Sequence, residues 1–178
     1  MAISRTALSL LQRIFGETKE RTALAPLYRA VVARGRDPAW YREGEVPDTL
    51  DGRFDMVAAI LALVLIRLEA EPEAGQGPSV LLTELFIDDM TGTLRQIGIG
   101  DYVVGKHVAK MMSALGGRLG AFREARAQGA FAGAVRRNIF HESPPSEGAV
   151  DRVAAQLEAF AGALDAARLE ALLGGALP

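Results

Sequence analysis

The sequence predicts an all-α fold, a single compact helical domain of about seven to nine helices with a C-terminal helical extension. Three observations predict it. Apolar residues recur at spacings of three and four between Gly or Pro punctuation, as in Leu82, Leu85, Phe86, Met90, Leu94 and Ile97. No stretch alternates apolar and polar residues between turn signals, the mark of a half-buried strand. The longest apolar run, Met56 to Ile66, lies between Asp55 and Arg67. It falls short of the roughly 20 residues needed to cross a bilayer, and its apolar character all round predicts a helix buried on every side.

The elements follow in order. A first helix is predicted from Ser4 to Phe15, stopping at Gly16, and a second from Thr18 to Arg34, kinked or divided at Pro26 and stopped by Gly35. Asp37 is a predicted N-cap, with Pro38 at the first position of a short turn carrying Trp40 and Tyr41. After a loop at Val46-Pro47 the buried helix begins between Asp51 and Phe54. Glu71 to Ser79, rich in Gly and Pro, is a predicted loop, and an amphipathic helix runs from Val80 to Ile97. Gly98 and Gly100 form a turn, and Asp101 is the expected N-cap of a helix with the core stripe Val104, Val108, Met111, Leu115, Leu119 and Phe122. Gly116-Gly117 inside it predicts a bend or a close helix crossing. A short helix over Ala130 to Phe140 precedes the boundary at Glu142 to Gly148. In the last third Val150, Val153, Leu157, Phe160 and Leu164 form a packing face, and Asp165 starts a final short helix ending at Gly174-Gly175. The expected organisation is a helical domain over residues 1–141 and a C-terminal segment, 149–178, packing on it.

At 178 residues one hydrophobic core is expected. A formal net charge of −2 gives no global attraction toward nucleic acid, which is not an expected partner. The chain has no cysteine, so disulfides, thiolate metal sites and thiol catalysis are excluded. Residues 1–25 lack a continuous apolar core and a small-residue cleavage site, and Glu17 and Glu20 argue against a transit peptide. The expected location is cytoplasmic, with peripheral contact at the inner membrane open through residues 4–15.

Catalytic signals are weak. His107 and His141 are far apart in sequence and have no cysteines to complete a zinc site. Asp88-Asp89 lacks a third carboxylate one turn on, because position 92 is glycine. Gly98-Ile99-Gly100 follows a helix and has valine at position 103, so it is a turn and not a dinucleotide loop. No cofactor or metal is expected. What remains is charge: Glu84, Asp88 and Asp89 on one helix, Lys106 and Lys110 on the next. An antiparallel fold-back brings Asp88 level with Lys110, giving either a weak surface ion pair or a polar surface that orients a partner. Trp40 and Tyr41 are either core or interface anchors. The candidate partner-binding residues are therefore Trp40, Tyr41, Asp88, Asp89, Arg95, Asp101, Lys106 and Lys110.

Three ordered segments carry a resemblance: Asp37 to Tyr41, Val46 to Phe54, and Leu85 to Met90 continuing through Leu94 to Asp101 and Val104 to Lys106. Over roughly Leu24 to Phe140 the chain resembles the ubiquinol-cytochrome c chaperone family, and with its abundance of Ala, Gly and Arg it looks like a bacterial member. The resemblance implies an all-helical, non-catalytic protein that binds cytochrome b or an early bc1-complex intermediate, with a small partner protein. Two alternatives stand beside it. One is a peripheral membrane-binding protein using the amphipathic stretch Ser4 to Phe15. The other is a small helical enzyme acting on an isoprenoid or lipid, for which Asp88, Asp89 and His107 are the candidates.

Overall fold

The computed structural model describes residues 5–141, 145–146 and 148–178, with side chains from position 20 onward except at 101 and 102. Among the described residues the secondary structure is eight helices and no strand. They are α1 (Arg5–Gly35), α2 (Pro38–Arg42), α3 (Leu50–Glu69), α4 (Pro72–Gln96), α5 (Asp101–Gln128), α6 (Phe131–Asn138), α7 (Ala149–Ala166) and α8 (Leu169–Leu173). Ser4 and the side chains of the proposed membrane-contacting stretch lie outside the described residues.

Helix α3 is the axis of the molecule. Thr49 caps it, its side chain accepting from the Gly52 amide at 3.1 Å, and every residue from Met56 to Leu65 is buried. Four helices pack around it: α1, α4, α5 and α7. Burial on all sides is what an apolar run without a polar face requires. Val153, Leu157, Phe160, Leu164 and Leu172 from the last third join the same core. Arg67, at the end of α3, reaches across to donate to the Leu164 and Ala167 carbonyls at 3.0 and 3.3 Å.

Several predicted boundaries are corrected. Helix α1 is continuous through Gly16 and Pro26, where a stop and a kink or division were expected. A proline inside a helix costs about 3 kcal/mol. Here Leu24, Leu27 and Val31 on either side of it are buried, and at about 1.5–3 kcal/mol each their burial outweighs that cost. Helix α4 begins at Pro72, so the predicted loop from Glu71 to Ser79 is helical. Pro72 occupies the first turn, where no amide partner is needed. Gly75 is not there for flexibility: a Cβ on it would lie 2.0 Å from the Leu68 carbonyl oxygen, so glycine lets α4 start directly against the end of α3. The Ser79 hydroxyl donates to the Gly75 carbonyl at 2.8 Å, beside the amide that Pro78 lacks.

The α4–α5 turn pivots on Gly98, whose φ of 86° suits glycine. Gly100, not Asp101, is the N-cap of α5, and Asp101 is its first helical residue. Gly116 and Gly117 make no close helix crossing, since nothing lies within 4 Å of a Cβ at either. Asp165 belongs to α7, and the last helix starts at Leu169, after the extended Arg168. The predicted cap at Asp37 forms as expected, its carboxylate accepting from the Ala39 amide at 2.9 Å.

Candidate functional site

The start of α3, the end of α4, the middle of α5 and the end of α6 enclose a solvent-open cavity of about 500 Å³. Its walls are mainly apolar: Phe54 from α3, Met90 and Leu94 from α4, Met111 from α5. The space exists because α5 presents Ala114 and Gly117 to it, side chains too small to reach the opposite wall. At the mouth, Leu50 and Ile97 are 55% and 53% exposed, so the apolar surface continues out of the cavity onto its rim.

A buried charge network closes the inner end. Asp55 and Arg118 are almost fully buried and form an ion pair. His141 Nε2 lies 2.8 Å from the second Asp55 oxygen, and Arg118 also donates to the Asn138 carbonyl at 3.0 Å. The guanidinium stacks over the Phe54 ring at 5.5 Å, while its Nε is buried without a hydrogen-bond partner. Burial pushes the Asp55 carboxyl above its ordinary range, with Arg118 and then His141 pulling it back. The same burial lowers Arg118, opposed by Asp55. Each charge is tolerated inside only because the other is there.

Among the described residues, Lys110, Arg137 and His107 stand around the mouth with one carboxylate, Asp51. Lys110 and Arg137 are exposed, and among the described residues neither they nor His107 form an ion pair or hydrogen bond.

The candidates from sequence are placed differently from one another. Trp40 is a core residue, 1% exposed, its indole donating to the Arg34 carbonyl at 2.7 Å beneath the Arg34 guanidinium. Of the two readings, core or interface anchor, its burial is that of a core residue, with its polar edge engaged by Arg34. Tyr41 is half-buried, donates to the Gly35 carbonyl at 2.8 Å, and is pushed by burial up to about 12. Asp88 does not meet Lys110. Arg21 of α1 pairs with it and lies 3.6 Å from Glu84, while the Tyr28 hydroxyl donates to Asp89 at 2.8 Å. The acidic face of α4 is thus taken up by α1, a helix the two-helix fold-back ignored. Arg95 and Lys106 are exposed, and the Asp101 side chain lies outside the described residues. Of the seven candidates whose side chains are described, Lys110 alone lines the cavity.

Asp55, Arg118, Arg137 and Asn138 were missed. One signal was available: a carboxylate at position 55, at the edge of a helix expected to be buried all round, needs a buried partner. His107 and His141, set aside for their separation in sequence, line the same cavity. Among the described residues no group of three or more His, Cys, Asp or Glu could hold a metal.

An apolar cavity that opens through an apolar rim and carries a few convergent polar groups has the shape and chemistry that binding sites share. The family model described as ubiquinol-cytochrome C chaperone matches residues 42–177, and the chain belongs to that family. The match takes in every residue of the cavity. It also extends past Gly148, beyond the reach of the resemblance read from sequence. The crystal structure of the Cbp3 homolog from Brucella abortus is similar, with 28% sequence identity, a TM-score of 0.78, and coverage of 94% of this chain and 94% of that one. Comparison with curated proteins gives no match. No helix among the described residues is long and apolar enough to cross a membrane.

Proposed function

We propose that this chain is a non-catalytic assembly chaperone that holds cytochrome b, or an early bc1-complex intermediate containing it, at the cytoplasmic face of the membrane. The observation that carries the reading is the cavity with its exposed apolar rim, lying wholly within the family-matched residues. An assembly intermediate exposes apolar surface that its final complex will cover. A cavity open through Leu50 and Ile97 offers temporary cover. The polar part of the surface is the neighbourhood of the α4–α5 turn, where exposed Arg95, Lys106 and Lys110 would orient the client by charge, together with Asp101 at the first position of α5.

The test is genetic. In an organism carrying one copy, deletion should lower cytochrome b protein, assembled bc1 complex and the b-haem signal, with the transcript retained and ATP synthase near normal. The wild-type gene should restore all three. A Gly117→Leu variant, which places a side chain into the cavity without a clash at its Cβ, should accumulate as folded protein yet fail to restore them. Normal cytochrome b in the deletion strain would defeat the proposal.

A further inference from the structure

We infer that the cavity takes an apolar segment of the client that carries a carboxylate at its edge, an inference that rests on the client-binding reading above. Within the site Asp55 and Arg118 neutralise each other. Among the described residues Asp51 is the one carboxylate left to the lining and can offset only one of Lys110 and Arg137, which leaves an excess cation, with His107 beside it. Among the described residues these three basic groups have no partner of their own. Arg123, Arg126 and Arg152 are paired with Glu69, Asp165 and Glu45, while among the described residues exposed Arg29, Arg42 and Arg136 are not, so what marks Lys110 and Arg137 is their place beside an apolar opening. Unpaired basic groups around an apolar opening are complementary to an apolar element ending in acid.

The rim distinguishes a polypeptide from a small amphiphile. A molecule confined to the cavity would leave Leu50 and Ile97 exposed, and with them Val103, 42% exposed on the first turn of α5. A helix or extended segment lying across the mouth covers them while sending one or two side chains inward. Its acidic end then meets Lys110 and Arg137.

The test uses the full chain and three fluorescent Leu/Ala-rich helical peptides, identical except for a pair of Glu, Gln or Lys residues at one end, read by anisotropy. At low salt the Glu peptide should bind tighter than the Lys peptide by about two- to thirtyfold, the range two exposed ion pairs give, with Gln between them. The gap should narrow as salt rises. The Lys110→Glu/Arg137→Glu variant should reverse the order, and Gly117→Leu should abolish binding of all three. Equal binding of the three peptides, blocked by Gly117→Leu, would overturn the charge inference and leave the client-site reading intact. Binding that survives Gly117→Leu, or no binding at all, would overturn both. Displacement of the peptides by phosphatidylglycerol vesicles, with vesicle binding unaffected by Gly117→Leu, would assign the basic rim to a membrane surface and overturn the inference.

Discussion

Asp55 and Arg118 carry opposite full charges at nearly complete burial, so their contribution depends on what is removed. Replacing Asp55 by Ala strands the guanidinium with only the Asn138 carbonyl and the Phe54 ring, and should cost about 3–5 kcal/mol in urea unfolding. Replacing both, as Asp55→Leu/Arg118→Met, should recover most of that loss, because the desolvation of two ions is removed together with their attraction. A double variant as unstable as the single would mean that His141 and Asn138 hold the site independently of the charge pair. The pH dependence has a definite sign. Burial raises the Asp55 pKa, so the folded chain holds that proton where the unfolded chain has released it. Its contribution to stability is fully present below the ordinary carboxylate range and is lost as pH rises through the raised value. Subtracting the stability profile of Asp55→Asn from that of wild type should therefore leave a difference that falls with rising pH. Glu45 acts in the opposite sense. The Ser146 hydroxyl, the Ser146 amide and Arg152 lower its pKa, so its contribution is lost as pH falls through the depressed value. A difference profile for Asp55→Asn that rose with pH would show the ion pair overriding desolvation.

At the scale of the helix, glycine and proline were the residues most easily misread. Gly75 and Gly117 both sit inside helices, and sequence alone assigns them a loop and a bend. The structure separates them by what a methyl group would meet. At Gly75 it would strike the Leu68 carbonyl oxygen at 2.0 Å, whereas at Gly117 it would meet nothing within 4 Å. Gly75→Ala should thus push α4 from α3 and destabilise by about 1–3 kcal/mol despite its better helix propensity. Gly117→Ala should stabilise by about 0.5–1 kcal/mol. Thermal unfolding of the two variants checks both, and a shared sign would mean that propensity or packing acts alone at these sites. The same contrast explains what was legible. The unbroken apolar run gave α3, apolar stripes gave α5 and α7 because burial follows periodicity, and the Asp37-Pro38 cap gave α2 because capping is local. Helix ends at Gly16, Pro26, Pro72 and Pro78 were not legible, since whether a helix continues through a breaker depends on partners far along the chain. The cavity was hidden for the same reason: its lining comes mainly from four helices, and Lys110 is the one charged residue of the described lining whose spacing draws notice in the sequence.

On the scale of the whole molecule, α3 ties the chain's two ends together. Helix α1 packs on its length, α8 returns to α1, and α7 lies across both α3 and α6, the helix that closes the cavity. The cavity's geometry therefore depends on how firmly the C-terminal helices are held, and two polar fastenings hold them. Near the start of α7, Glu45 accepts from the Ser146 hydroxyl at 2.5 Å and from Arg152 at 2.9 Å. At its end, buried Arg67 donates to the Leu164 and Ala167 carbonyls, where the close of α7 leaves carbonyls short of helical donors and the Leu164 carbonyl accepts only a capping bond from the Ala167 amide at 3.2 Å besides. The second fastening is the stronger, because its carbonyls have little water to fall back on. Arg67→Met keeps most of the apolar stem but removes the side-chain hydrogen bond from both carbonyls, and this loss should cost about 1–3 kcal/mol even though the Leu164 carbonyl keeps its bond from the Ala167 amide. Hydrogen exchange should then show faster opening over the last turns of α7 and over α8, with the amides of Met56 to Leu65 keeping their protection. Peptide capture at the cavity should weaken in parallel, since α6 is positioned by α7. Acceleration spread evenly over α3 and α7 would show that the two open as one unit and that Arg67 stabilises the fold globally, with no local latch on the site.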